Sequence, residues 1–204
     1  AVSEDRIVDA AQPIEKSINA ATQLIQFLIQ NKGQITGVPS GFTDLDKMTT
    51  GFHPGEMIVV AARPGMGKTS IALNMIEAAI CPRPGKDAVG TLMFSLEMPA
   101  EQLAMRLLCS RARINMRKLT DGFIAKEKQQ DMVRAAQELK NSPLMIDDSS
   151  GLTILELRAK ARRIANQMKG KLGLVVVDYL QLVAGLDSRV PREQQIAEIS
   201  RGMK

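Results

Sequence analysis

The stretch VVAARPGMGKTSIALNM, residues 59–75, limits the fold more tightly than any other part of the chain. An aliphatic run turns through Pro64, Gly65 and Gly67 into a helix-like segment that begins near Lys68. A strand turning this way into a helix leaves the first helical N–H groups unpaired and aims the positive end of the helix dipole at the bend. Such a bend is an anion site. Gly67 lets the backbone pass close to a phosphate where a Cβ would collide, Lys68 can reach the terminal phosphates, and the Thr69 hydroxyl can ligate Mg²⁺. The spacing follows the phosphate-loop pattern G-x-x-x-x-G-K-[ST] with one departure, Ala62 in place of the first Gly. The residues expected to cradle the nucleotide are Arg63, Pro64, Gly65, Met66, Gly67, Lys68, Thr69 and Ser70.

The segments around the bend repeat its strand and helix alternation. MIVVAA (57–62), VGTLMFSL (89–96), PLMIDD (143–148) and LGLVVVDYL (172–180) are short aliphatic runs of the kind buried on both faces of a parallel sheet. Between them, MPAEQLAMRLLCSRARI places Pro99 near a first helical turn, where its missing N–H is no loss. TILELRAKARRIANQM opens with Thr153 and Glu156 as a capping box and sets Ile154, Leu157, Ala161, Ile164 and Met168 on one face. The expected fold is therefore α/β, a mostly parallel sheet flanked by helices. With aromatics at 3% and no Trp, its core must be aliphatic and Met-rich.

Upstream, Ile14, Ile18, Ala21, Ile25 and Leu28 form a narrow apolar stripe on a predicted helix over 14–29. A lone helix of this length is marginal in water, so the stripe needs a partner. NKGQITGVPSG, residues 31–41, reads as a flexible joint. Downstream, EQQIAEISRGMK is one more amphipathic segment.

Two acidic residues follow predicted strands. Ligands of parallel sheets bind outside the carboxyl ends of the strands, which puts Asp178 beside the phosphate loop, able to orient the Mg²⁺ shell. Glu97, after the second strand, can reach the same edge and polarise a water for in-line attack on a γ-phosphate. Lys68 and Glu97 are thus the candidate catalytic residues, and Thr69 with Asp178 the candidate metal ligands. Taken singly, such an Asp can simply cap a loop and such a Glu can be a solvated helix start.

Composition bounds the partners. The formal charge of +5 suits a polyanion, yet surpluses this small occur in proteins that bind nothing acidic. Cys81 and Cys109 are isolated and His53 is the only histidine, which argues against a zinc site or a disulfide framework and fits a reducing cytoplasm. No apolar run approaches the roughly 18–20 residues that cross a bilayer, and the first residues lack the basic and apolar pattern of an export signal. The expectation is a cytoplasmic protein with no membrane partner.

ARPGMGKTS, FSLEMP and VVVDYLQL, in this order and at these separations, resemble the C-terminal motor domain of DnaB-type replicative DNA helicases, which has the RecA-like fold. GVPSGFTDLDKMTTGFHPGEMIVVAA is similar as well, so the resemblance runs from about Gly37 to the end. It implies an interdomain linker with an amphipathic helix over 1–36 and a RecA-like ATPase domain over 37–204. It also implies ATP and Mg as ligands, an unwinding motor on single-stranded DNA, and a hexameric homo-oligomeric ring with primase and helicase loader as partners. The family tolerates Ala at the first motif position, as at Ala62. In its rings the linker helix packs on the adjacent subunit, where the stripe from Ile14 to Ile29 would lie.

The resemblance further implies that a γ-phosphate sensor and an arginine finger would lie beyond Lys204, making the chain a fragment of low turnover. Loops that follow the third motif line the ring channel, so Arg189 and Arg192 are the candidate DNA contacts. The basic run Arg158, Lys160, Arg162, Arg163, Lys169 and Lys171 is instead expected to be a solvated outer face. Two readings of other classes share the phosphate loop: a recombinase or clock-type ATPase, against which FSLEM followed by DYLQL speaks, and an assembly module that binds nucleotide without unwinding.

Overall fold

The computed structural model describes residues 13–30, 34–82, 86–121, 126–185 and 190–203. Three strands, β1 (Gly90–Ser95), β2 (Leu144–Asp147) and β3 (Leu172–Asp178), form a parallel sheet in the order β2-β1-β3. Helices α1 (Ile14–Gln30), α2 (Thr43–Thr49) and α3 (Lys68–Ile80) precede the sheet in sequence. α4 (Ala100–Arg111), α5 (Met116–Thr120) and α6 (Lys126–Lys140) join β1 to β2, α7 (Ile154–Gln167) joins β2 to β3, and α8 (Arg192–Met203) follows.

β1 is central and buried at every position. Successive side chains of a strand point to opposite faces, so β1 feeds two separate cores. Leu92 and Phe94 pack with Leu157 and Ile164 of α7, Val183, and Ile199 of α8. Met93, between them, packs with Leu73, Ile76 and Ile80 of α3 and with Leu103 and Leu107 of α4. Full burial of each such side chain is worth about 1.5–3 kcal/mol, which fixes the helices on either side of the sheet. β3 is less enclosed: Val175 is 45% exposed, so this strand is not covered on both faces as the sequence pattern suggested.

Several helix ends follow from local chemistry. The Thr153 side chain accepts from the Glu156 N–H while the Glu156 carboxylate accepts from the Thr153 N–H, completing the expected capping box of α7. Ile154, Leu157 and Ile164 are buried, with Ala161 and Met168 packed beside them. Pro99 is the N-cap of α4, one position earlier than the first turn, in extended backbone that suits its fixed φ.

Three further expectations are corrected. Residues 57–62 form no strand: Ile58, Val59 and Val60 are 48%, 71% and 45% exposed, and the segment has no place in the sheet. Its apolar residues have strand propensity, but a strand exists only where a neighbour completes its ladder, and β3 pairs with β1 alone among the described residues. Its inner side lines an open apolar groove of about 590 Å³ with Leu45, Phe52, Ile71 and Met75.

The expected joint over 31–41 is ordered in its second half. Val38 and Phe52 exchange both backbone hydrogen bonds at 2.8 Å, and the buried Ser40 N–H donates to Asp46 Oδ1 at 2.7 Å. A Cβ on Gly37 would lie 2.5 Å from the Phe52 carbonyl oxygen, so glycine is required there for close approach and not for looseness. Residues 31–33 lie outside the described residues. Third, β3 stops at Asp178 instead of 180, because Leu180–Leu182 forms a single 3₁₀ turn.

The stripe on α1 faces solvent, with Ile14, Ile18, Ile25 and Ile29 56–73% exposed. Ala21 is exposed too; the Leu28 side chain lies outside the described residues. No helix among the described residues is long and apolar enough to cross a membrane.

Candidate nucleotide-binding site

The turn from residue 63 to α3 is set by two left-handed glycines. Gly65 has φ +77° and Gly67, the N-cap of α3, φ +89°. A Cβ at Gly65 would meet nothing within 4 Å, and one at Gly67 only the Ser70 Cβ at 4.0 Å. Backbone conformation, rather than crowding by the protein, selects glycine, and the space above the loop stays open. Arg63, Pro64 and Met66 are exposed on the loop, and the Met66 N–H donates to the Arg63 carbonyl at 3.2 Å. Gly67 offers no side-chain cap, so the first N–H groups of α3 remain available to an anion.

Across from the loop stands the end of β3. The Thr69 hydroxyl donates to Asp178 Oδ2 at 2.7 Å, over a sequence separation of 109 residues. Asp178 is 7% exposed and Thr69 half-buried. The Lys68 ammonium donates to the Ala62 carbonyl at 3.3 Å and lies 5.2 Å from the centroid of the Tyr179 ring. The first two residues of α3 thus meet the last residue of β3 and the one after it. The donors gathered here are a hydroxyl and a carboxylate, hard oxygens of the kind Mg²⁺ takes alongside waters and substrate phosphates. Thr69 and Asp178 therefore fit that ion.

Glu97 lies at the same edge. Ser95 is in register with Asp178, and the Leu96 N–H donates to the Asp178 carbonyl at 2.9 Å, so the turn bearing Glu97 leaves the sheet beside Asp178. That turn is closed by the buried Ser95 side chain, whose hydroxyl donates to the Met98 carbonyl at 2.6 Å and accepts from the Met98 N–H at 3.3 Å. Asp148, just past β2, accepts from the Ala100 N–H at 2.9 Å and caps α4 from outside. The Glu97 side chain is exposed and turned to solvent. Its backbone is held on both sides while its carboxylate is free to meet a water.

Tyr179, Ser95 and Asp148 were not singled out from sequence. Ser95 and Asp148 carried a weak signal, a small hydroxyl and a carboxylate directly after aliphatic runs. Tyr179 stood within the VVVDYLQL motif, but nothing in the sequence tied its ring to Lys68, more than a hundred residues away.

Next to the site, Lys160 of α7 donates to Asp147 Oδ2 at 2.7 Å and to Ser149 Oγ at 2.9 Å. Burial pushes the Asp147 carboxyl up, but the hydrogen bonds from Lys160 and Ser149 outweigh it and leave the group below its usual range. Lys160 is thereby taken out of the basic run, whose Arg158, Arg162 and Arg163 are exposed. Burial also pushes the Cys81 and Cys109 thiols up, which favours their protonated form.

Arg192 is engaged inside the chain. Its guanidinium donates to Gln195 Oε1 at 2.6 Å, to the Val183 carbonyl at 3.0 Å and to the Gln181 carbonyl, clamping the start of α8 to the turn after β3. A side chain so committed has few donors left for a phosphate. Arg189 lies outside the described residues.

A parallel sheet with a glycine phosphate loop opening a helix, and a buried Asp bonded to the loop's Thr, is the arrangement of a phosphate-loop nucleotide-binding fold. The chain belongs to the DnaB-like helicase C terminal domain family, whose model matches residues 37–204. It is 40% identical over 204 residues to the replicative DNA helicase DnaC of Bacillus subtilis (strain 168), covering 100% of this chain and 44% of that protein. It is 41% identical over 181 residues to the replicative DNA helicase DnaB of Geobacillus stearothermophilus, covering 88% and 38%.

Among solved structures, one described as an ATPase domain superimposes with a TM-score of 0.84 at 31% identity, over 94% of this chain and 66% of that one. A DnaB-like replicative helicase, described with its interactions with primase, superimposes with a TM-score of 0.78 at 32% identity, over 95% and 45%. The chain spans about two fifths of the length of the two curated relatives.

Proposed function

We propose that the chain is the ATP-driven motor of a replicative DNA helicase, with residues 37–204 as the ATPase domain and residues 1–36 as the linker. The observation that carries this reading is the Thr69–Asp178 hydrogen bond at the phosphate loop, with Glu97 on the adjoining strand end. ATP sits with its phosphates against the N–H groups that open α3, and Lys68 neutralises charge on the terminal phosphates. Thr69 and Asp178 would hold Mg²⁺, which would supply positive charge against the negative charge that develops on the phosphates. Glu97 accepts a proton from a water whose oxygen attacks the γ-phosphorus, and the bond to the β–γ bridging oxygen breaks to leave ADP and phosphate.

The exposed α1 stripe supports assembly: four isoleucines at helical spacing lie open to solvent, as on a helix that docks on a neighbouring subunit. On this reading the protein forms a homo-oligomeric, hexameric ring around single-stranded DNA in the cytoplasm and works with primase and a helicase loader. A relative of known structure has primase as its partner.

The test replaces the matching segment of the Bacillus subtilis relative with residues 37–204. ATP hydrolysis and strand separation by the chimera, stimulated by single-stranded DNA, are the expected outcome. A chimera that assembles and binds nucleotide but hydrolyses it equally with and without DNA would contradict the motor assignment.

A further inference from the structure

We infer that Tyr179 is a positioning residue for Lys68, its ring holding the ammonium at the mouth of the phosphate loop before nucleotide arrives. The inference rests on the nucleotide-site reading above and adds a residue to it. The Lys68 ammonium lies 5.2 Å from the Tyr179 ring centroid, inside the range in which a cation is drawn to an aromatic face. On its other side the ammonium donates to the Ala62 carbonyl at 3.3 Å. Asp178, one residue before Tyr179, is itself tied to Thr69, one residue after Lys68, so the two contacts share one rigid crossing of α3 and β3.

This arrangement is compatible with bound phosphate. An ammonium has three N–H donors, Ala62 uses one, and a ring face attracts the cationic group as a whole without consuming a particular N–H. Two donors therefore stay free for phosphate oxygens while the ring remains in contact. Without the ring, the four-carbon stem of Lys68 regains rotamer freedom that binding must remove again, and nucleotide affinity falls. The attraction depends on the π face and not on the hydroxyl, so phenylalanine preserves it and leucine does not.

The experiment titrates a fluorescent ATP analogue with Mg²⁺ into the chain and its variants, and measures labelling of Lys68 by an amine reagent without nucleotide. Tyr179→Phe should bind within about twofold of the parent, and Tyr179→Leu about threefold to tenfold more weakly, the cost of re-ordering part of the freed Lys68 side chain. Lys68 should label at least twofold faster in Tyr179→Leu and at the parent rate in Tyr179→Phe. In a Lys68→Arg background, which keeps a cation but moves it, Tyr179→Leu should have a smaller effect than in the parent.

A cooperative thermal transition confirms that each variant is folded, and Tyr179→Met replaces leucine where the latter melts too low. Parent affinity or tighter binding in the leucine or methionine variant, with unchanged labelling, overturns the positioning role while a weakened Lys68→Ala leaves the nucleotide site standing. Parent affinity in Lys68→Ala overturns both.

Discussion

Replacing Thr69 with Val removes one hydroxyl and leaves the side-chain volume almost unchanged. The lost hydrogen bond runs at 2.7 Å to Asp178, a carboxylate only 7% exposed, so the substitution strands a buried charge. Hydrogen bonds to charged groups contribute about 1.5–3 kcal/mol, and for a chain of this size each kcal/mol moves the thermal midpoint by about 2–4 °C. The expected fall is therefore about 3–12 °C, toward the lower end because Asp178 opens onto the site and can recruit water. Thr69→Ser keeps the hydroxyl and should fall by less than half as much.

The same hydroxyl is a proposed Mg²⁺ ligand, so the parent's affinity for ATP should rise with Mg²⁺ while that of Thr69→Val should hardly respond. Scanning calorimetry and nucleotide titrations with and without Mg²⁺ measure both effects. Thr69→Val melting with the parent and retaining the full Mg²⁺ response would refute the reasoning.

Ile18→Asp with Ile25→Asp should abolish self-association seen by light scattering, while the thermal midpoint moves by less than about 3 °C, since both side chains are exposed in the single chain. A collapse of the fold would show that α1 packs internally. Asp147 gives a pH signature. Its carboxyl is depressed in the folded state, so it stabilises the fold at pH above its unfolded value and loses that contribution as pH falls through the folded value. Lys160→Met removes one of the two residues whose hydrogen bonds oppose burial and leaves only Ser149, so acid unfolding followed by circular dichroism should begin at higher pH than in the parent. An unchanged acid limb would mean that the ion pair does not set it.

Two kinds of site residue were legible in sequence: those of one local turn, and the carboxylates of Asp178 and Glu97, which end or follow aliphatic runs and so belong at the carboxyl edge of a parallel sheet. Gly65, Gly67, Lys68 and Thr69 lie within five residues, and the turn they make needs nothing from elsewhere. Three strands were legible because aliphatic runs of strand length were bounded by turn residues, and the capping box of α7 because Thr153 and Glu156 contact each other three residues apart. Residues 57–62 looked equally strand-like, but ladder formation depends on a neighbour that composition does not reveal.

Ser40 and Asp46 fix a segment that glycine content had suggested was loose. The ring of Tyr179 and the cap from Asp148 arise from how distant elements cross. Arg192, offered as a DNA contact by the family resemblance, has its guanidinium hydrogen-bonded to three acceptors on its own chain, a fixation that no sequence feature announced.

The most direct test of the central claim is nucleotide binding compared across two single variants of the chain, Lys68→Ala and Glu97→Gln, with Mg²⁺ present. Lys68 belongs to the phosphate cradle and Glu97 to the chemistry, so one substitution should act on affinity and the other should not. Isothermal titration with a slowly hydrolysed ATP analogue should give Glu97→Gln an affinity within about twofold of the parent and Lys68→Ala an affinity roughly tenfold weaker or more. A parent that binds no nucleotide, or a Lys68→Ala variant that binds as the parent does, would contradict the account.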